Sequence, residues 1–366
     1  MKLYPYLFIL LLISCQTAKN IKDTDIPTLT VDLDQAKTNV NLSDVVDTVD
    51  FIPLETTESC LIRTIDKIIF TDSLIIILDG LQANGKVYVF DQKGHFLRTI
   101  GEIGRGPEEY LLGMDIQLLD DNIQILDNGS HIVTYSIQGD FISKQGLKKP
   151  AFKFITDGEY YYMHGAEQGN TLLVTDSSYQ VIDSYFPYVN REINMLPLYP
   201  FWNLGGSSFY MRPYDDMIYR LSQAGPTSAL WIDYLDKSIP YEKVSEKDFD
   251  FSTLENYAFT KYILDGQDAM MVLCVYENQP YLYIKDKVSA KEALYRYDLL
   301  NNDITGEDRA YPFALSDDDY FVYYVDPASL SLRENRTRKH DSRIDKLLAP
   351  QVEFSNPILM KLKFKL

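Results

Sequence analysis

Apolar and polar residues alternate with a period of two along most of this chain, the spacing of β-strands, and few stretches show the three- and four-residue spacing of an amphipathic helix. The alternation itself repeats. Val87-Tyr88-Val89-Phe90-Asp91-Gln92-Lys93-Gly94-His95-Phe96-Leu97 aligns with Ile132-Val133-Thr134-Tyr135-Ser136-Ile137-Gln138-Gly139-Asp140-Phe141-Ile142 at an offset of 45 residues. In both copies a strand ends in a polar turn with a glycine where positive φ is wanted, and an apolar strand restarts at Phe96 or Phe141. Leu173 to Ile182 carries the pattern without the glycine, and further copies are read at Met217 to Leu221 and at Leu294 to Asp298.

A period of about 40 to 45 residues built from short strands and turns is that of a propeller blade of four antiparallel strands. The expected fold is therefore all-β, a six-bladed β-propeller, with blades at residues 66–111, 112–149, 150–190, 198–235 and 257–306 and a sixth from the C-terminal remainder. A ring must close, because an open edge invites aggregation. Val46 to Leu54 and Pro357 to Leu366 are strand-like and otherwise unemployed, so they are expected to pair in the closing blade. Two charged stretches, Ile239 to Asn256 and Ser331 to Leu348, depart from the repeat and read as excursions or short helices. Ser43 to Asp47 reads as a single capped turn.

The N-terminus follows a different rule. Lys2 precedes an apolar run of about eleven residues, Leu3 to Ile13, too short for the roughly 20 residues of a membrane-spanning helix. Leu12-Ile13-Ser14-Cys15 resembles a bacterial lipobox, which implies a signal peptide over residues 1–14 and lipidation of Cys15. Residues 15–31 are then a flexible tether and residues 32–366 the propeller domain. The expected location is the cell envelope, with the lipid in the outer membrane at its periplasmic face or at the cell surface.

Charge narrows the partners. The net charge is −18, and removing residues 1–14, which hold one lysine and no acid, takes it to −19. Such a chain repels phosphate backbones, and the only basic stretch is Arg333 to Lys346, so nucleic acid is not an expected partner. Beyond Cys15, only Cys60 and Cys274 remain; far apart in sequence, they are expected as buried thiols rather than a bridge. The 28 tyrosines and 18 phenylalanines support strands and offer stacking positions, Tyr160, Tyr161, Tyr162, Tyr199, Trp202, Tyr210, Tyr214, Tyr323 and Tyr324 among them.

Phe96 to Leu112, FLRTIGEIGRGPEEYLL, resembles the Gly-Arg-Gly-Pro-Gly-Glu-Tyr signature of the six-bladed propeller lipoproteins of Bacteroidota. Asp50 to Thr57 is similar to that family's opening motif, Arg212 to Arg220 to its mid-chain motif, and Asn356 to Met360 to its closing strand. The resemblance implies a scaffold of the NHL and TolB shape and an envelope location, but no activity. Glu108 stands where the signature carries its later glycine.

Several constellations are weighed for chemistry. Gly101, Gly104 and Gly106 with Arg105 form no phosphate loop, since no Lys-Ser/Thr follows and Pro107 removes a donor. The expectation is an interblade connection, with Arg105, Glu108, Glu109 and Tyr110 as rim contacts. Asp317, Asp318 and Asp319, and likewise Asp120 and Asp121 with Asn122, supply hard oxygens that suit Ca²⁺, though no EF-hand spacing surrounds them, and no other cofactor is expected. The histidines, His95, His131, His164 and His340, are scattered; His164, after the Tyr160-Tyr161-Tyr162 strand, reads first as a hydrogen-bonded structural histidine and second as a ligand-binding candidate facing the axis. Gly205 to Phe209 is no nucleophile elbow. Arg212 and Tyr214 complete the ligand-binding candidates, and no catalytic residue is assigned. The function expected is a lipid-anchored binding or scaffold propeller that recognises a glycan, peptide or envelope protein at a channel mouth. The alternative is a hydrolase or lyase acting on a polymer with carboxylate, Arg and Tyr groups in the channel.

Overall fold

Twenty-four strands form six four-stranded antiparallel sheets in a computed structural model, which describes residues 26–80, 83–165, 170–187, 199–244, 246, 248–306, 311–327, 344, 346–347 and 355–366. Blade one is Ile65–Phe70, Leu74–Asp79, Val87–Asp91 and Phe96–Ile100. Blade two is Gly113–Leu119, Asn122–Asp127, His131–Ser136 and Phe141–Gly146. Blade three is Ala151–Thr156, Tyr161–Gly165, Asn170–Thr175 and Val181–Pro187. Blade four is Phe201–Leu204, Ser207–Met211, Met217–Leu221 and Thr227–Asp233. Blade five is Phe259–Asp265, Ala269–Tyr276, Gln279–Asp286 and Glu292–Arg296. Blade six is Ala314–Leu315, Phe321–Val325 and Ile358–Phe364, completed by Val46–Pro53.

The ring closes as the sequence implies. Ile358 pairs with Pro53 and Leu362 with Val49, so the two ends of the chain share one antiparallel ladder, with Val46–Pro53 as the outer strand of the closing blade. The first strand of each blade lies innermost: those of blades one, two, three and four touch in order, and blade six joins five to one.

The core lies between the blades. Within Leu74–Asp79, Ile75 and Ile77 pack toward blade six, whereas Ile76 and Leu78 pack toward blade two. Alternate residues of one strand therefore enter two different apolar layers, and both faces must be apolar. The same arrangement places Tyr110, Tyr135, Tyr162, Tyr210 and Tyr323 among the largest fully buried side chains. These tyrosines pack between neighbouring blades.

The repeat also has a polar cause. Asp91 Oδ1 accepts from Lys93 N (2.8 Å) and His95 N (2.9 Å), Asp176 Oδ1 from Ser178 N and Gln180 N (both 2.9 Å), and Asp286 Oδ1 from Val288 N and Ser289 N (both 2.8 Å). These Asx turns join third to fourth strands. Gly94 and Gly139 have φ of 86° and 99°, and in blade three Tyr179 takes φ 58° in the glycine's place. A Cβ on Gly94 would meet Pro53 O at 2.2 Å, because this turn packs against the outer strand of the preceding blade.

Three expectations need correction. Leu294 to Asp298 is not a third strand and turn: Glu292–Arg296 is the outer strand of blade five, and the turn lies at Asp286 to Ala290, where Ala290 rather than glycine has φ 58°. The tether does not extend through residue 31, because Thr28–Thr30 is a fifth strand on blade four, parallel to Trp231, Ile232 and Asp233. Val40–Asn41 pairs likewise with Leu300–Asn301. The turn expected at residues 43–47 is a one-turn helix at Leu42–Val45, capped from outside by Asp303, which accepts from Ser43 N (2.9 Å) and Ser43 Oγ (2.6 Å). The first excursion holds a helical turn at Tyr241–Val244 and a 3₁₀ segment at Phe251–Asn256. The second excursion lies almost wholly outside the described residues, as do Cys15, the signal segment and His340.

Candidate functional site

Because neighbouring strands run in opposite directions, the blade-to-blade connections and the loops between second and third strands emerge on one face of the ring. Acidic side chains brace the turns of that face. Asp79 Oδ1 accepts from Arg63 N (3.0 Å), Thr64 N (3.1 Å) and Gly80 N (2.9 Å), and Asp127 Oδ1 from Leu111 N (2.8 Å) and Leu112 N (3.1 Å). A carboxylate ending the second strand thus staples the connection that enters its own blade. Asn356 does the same at the closure: its side chain accepts from Ile62 N (2.7 Å) and donates to Glu55 O (2.8 Å) and Cys60 O (3.0 Å). The opening and closing motifs of the sequence meet here.

The Gly104 to Tyr110 turn is built around Glu109. Gly106 N donates to Glu109 Oε2 (2.6 Å), and a Cβ on Gly104 would lie 1.9 Å from that oxygen. Lys144 Nζ donates to Glu109 O (2.7 Å) and pairs with Asp127 (3.1 Å), while Tyr135 Oη donates to Glu108 O (2.5 Å). Tyr110 is buried between blades one and two, and burial raises its phenol pKa. Glu109 and Tyr110 thus hold the turn, Glu108 needs no glycine conformation, and of the four candidates Arg105 and Glu108 keep exposed side chains.

His164 is fully buried between blades three and four rather than on the axis. Its Nδ1 lies 3.0 Å from Tyr210 Oη, and burial lowers its pKa to about 4, so it is neutral at pH 7. Arg212 lies between the rings of Phe186 (4.3 Å) and Tyr241 (4.2 Å). It donates to Asp215 Oδ2 (2.7 Å) and Tyr241 Oη (3.0 Å). Burial works against its charge, but Asp215, Tyr219 and Tyr241 more than offset this and raise its pKa. Tyr214 packs on Phe251 and Phe259. Both residues therefore bind the first excursion to the ring.

The sequence did not single out the group that converges at the channel wall. In blades one, two and three the inner strand carries a β-bulge between its first and third residues, at Asp66, Met114 and Phe152. A bulge re-aims the next side chain, here Lys67, Asp115 and Lys153. Lys67 Nζ donates to Asp115 Oδ1 (2.8 Å), Ile116 N to the same oxygen (2.9 Å), and Phe154 N to Asp115 Oδ2 (3.0 Å). Lys153 Nζ reaches the bulge carbonyl Met114 O (3.3 Å). Burial lowers the Lys67 pKa, opposed by Asp115 and reinforced by Lys153. Third position in each strand places the cluster toward the face that carries the connections. Farther along, Gln117 Nε2 donates to Phe154 O (2.8 Å) and Asn203 Nδ2 to Thr156 O (3.3 Å), so polar side chains stitch one inner strand to the next.

The acidic runs are dispersed. Asp318 pairs with Lys361 (2.8 Å), Asp319 accepts from Asp268 N, and among the described residues no three His, Cys, Asp or Glu gather to hold a metal. Asp120 and Asp121 sit in a turn, where Asp121 O accepts from Ile137 N (2.8 Å). A cleft of about 290 Å³ separates blades five and six on the opposite face, floored by Ile284, Phe321 and Phe364 and rimmed by Lys285, Asp286 and Lys363. Cys60 and Cys274 are free buried thiols, their pKa raised to about 12 by burial.

Fold and site together define a six-bladed β-propeller with a charged inner wall. Within that class, the chain belongs to the family described as a domain of unknown function, DUF4934, whose profile spans residues 28–363. It is similar to a solved structure of a Bacteroides fragilis protein described as exported, at 20% identity and TM-score 0.77, over 93% of this chain and 100% of that one. A DUF4221 family member from Bacteroides vulgatus matches at 10% identity and TM-score 0.53, over 88% and 98%. These likenesses show the fold. No curated protein matches the chain, and no helix among the described residues is long and apolar enough to cross a membrane.

Proposed function

We propose that this chain is a lipid-anchored binding propeller of the bacterial envelope, which holds a glycan, peptide or protein partner at the channel mouth on the face of the blade-to-blade connections. The observation that carries this reading is the inner wall. Three consecutive blades place Lys67, Asp115 and Lys153 at equivalent positions of their inner strands, next to the bulges and bonded to one another's strands. Propellers present loops from every blade to one opening, which suits recognition. Elsewhere Glu109, His164 and Arg212 are committed to holding the fold, while Arg105 and Glu108 stay exposed on the connection face as contacts for a partner.

The lipobox-like Leu12 to Cys15 and the similarity to an exported protein support the envelope location. With Thr28–Thr30 docked on blade four, the segment from Cys15 to Pro27 reaches about 45 Å when fully extended. The anchored ring therefore stays close to its membrane, attached through the rim of blade four rather than through the closing blade.

Site-specific photocrosslinking in the native envelope tests this. Benzoylphenylalanine replacing Phe152, the half-buried bulge residue beside Lys153, is expected to give discrete adducts, and the same probe at Ile142, exposed on the outer strand of blade two, is not. Adducts at 142 with none at 152 would overturn the channel reading.

A further inference from the structure

Within the cluster, Asp115 is bonded to one of the two lysines. Asp115 is almost fully buried, and each of its oxygens is already engaged, Oδ1 by Lys67 and Ile116 N, Oδ2 by Phe154 N. It neutralises one ammonium. Lys153 is 9% exposed, and among the described residues its Nζ has one hydrogen-bond acceptor, the uncharged Met114 O, and no carboxylate in ion-pair range. An ammonium carries three donors. Burying a charge without a counter-charge is unfavourable, and the two ammoniums sit on adjacent residues, Lys67 on Asp115 Oδ1 (2.8 Å) and Lys153 on Met114 O (3.3 Å). The three residues Lys67, Asp115 and Lys153 thus carry a formal charge of +1 together, in a chain whose net charge is −18.

We infer that Lys67 and Lys153, braced by Asp115, bind an anionic group, a carboxylate or a phosphate, carried by the ligand of the channel mouth. This rests on the channel reading above and adds the chemistry of what the mouth recognises. An oxyanion between the two lysines would supply the missing acceptors of Lys153 and would relieve the repulsion between the ammoniums. Asp115 has the opposite duty: it fixes the Lys67 ammonium and, through Phe154 N, the inner strand that carries Lys153. The three bulges set the spacing, because each advances its strand by one residue and brings the third side chain to the wall.

The test is calorimetric titration of the full chain with inorganic phosphate and, separately, with succinate, both at constant ionic strength set by chloride. Saturable binding is expected for at least one of the two. Lys153→Met and Lys67→Met should each weaken it at least tenfold, Lys153→Arg should stay within about threefold, and Lys93→Met, at an exposed turn, should leave it unchanged. Phosphate alone assigns a phosphorylated ligand; succinate assigns a carboxylate. Lys153→Met removes only a bond to a carbonyl, so its fold is secure even if Lys67→Met is not. Equal titrations for the chain and for Lys153→Met, or no saturable heat with either anion, would overturn the inference. Crosslinking through position 152 would still report on the channel reading by itself.

Discussion

Asp216 offers the most quantitative test of the interblade architecture. It sits in the loop leaving the second strand of blade four, 6% exposed, against blade five, where its Oδ1 accepts from Thr260 N (2.8 Å). Burial raises its pKa from 3.8 to about 7, opposed by the Thr260 hydrogen bonds and reinforced by Asp215. The folded state therefore holds a proton that the unfolded chain releases above its ordinary carboxylate pKa. Stability from this group is fully present below that ordinary value and is lost as pH rises through the folded one. Between pH 4.5 and 7.5 the loss is about 3 kcal/mol, from about 1.36 kcal/mol for each pH step over which only the folded state keeps the proton. Asp216→Asn keeps an oxygen for Thr260 N and removes the titration. Urea unfolding of both proteins across that range should show the wild type losing about 3 kcal/mol relative to the variant, or about 4 °C in Tm for a domain of this size. Parallel stability profiles would refute the reasoning and place an ionised carboxylate, with an unseen partner, between blades four and five.

Other outcomes follow from the staples. Asn356→Ala leaves Ile62 N, Glu55 O and Cys60 O without their side-chain partner at the ring closure and should cost about 3 kcal/mol in denaturant unfolding; a loss below about 1 kcal/mol would contradict that role. Gly104→Ala drives a methyl into the Glu109 carboxylate and should destabilise by about 2 kcal/mol, with much of the cost absent in a Glu109→Ala background, as a double-mutant cycle would show. Cys60 and Cys274, with thiol pKa values raised to about 12, should resist a thiol reagent at pH 8 until the protein is unfolded.

Much of the ring was legible because its signals are local. The Val87 and Ile132 copies align because each pairs an alternating strand with a side-chain-capped turn and a glycine at positive φ. The closing blade was legible by elimination, since two strand-like ends had no other partner. The copy placed at Leu294 failed for a physical reason: an outer strand, Glu292–Arg296, alternates as a third strand does, and the true turn uses Ala290 where glycine was expected. Thr28–Thr30 was hidden because a three-residue strand in a polar segment is fixed only by its distant partner at Trp231 to Asp233.

The inner wall was harder to read. Lys67, Asp115 and Lys153 are 48 and 38 residues apart and meet only because three bulges share a register, which no short-range pattern encodes. A usable trace exists: in each of the three inner strands the residue two positions after the strand begins is charged. By contrast, Glu109, Tyr110, Arg212 and Tyr214 stood out in the sequence because the fold needs them, since each holds a connection or the excursion in place.

Whether a partner enters the channel mouth and places an anionic group on the lysine pair is tested most directly by crosslinking from position 152 with and without Lys153→Met. The expected result is an adduct whose yield falls several-fold in Lys153→Met while the protein remains folded and anchored. An adduct of undiminished yield would contradict this assignment of the channel mouth.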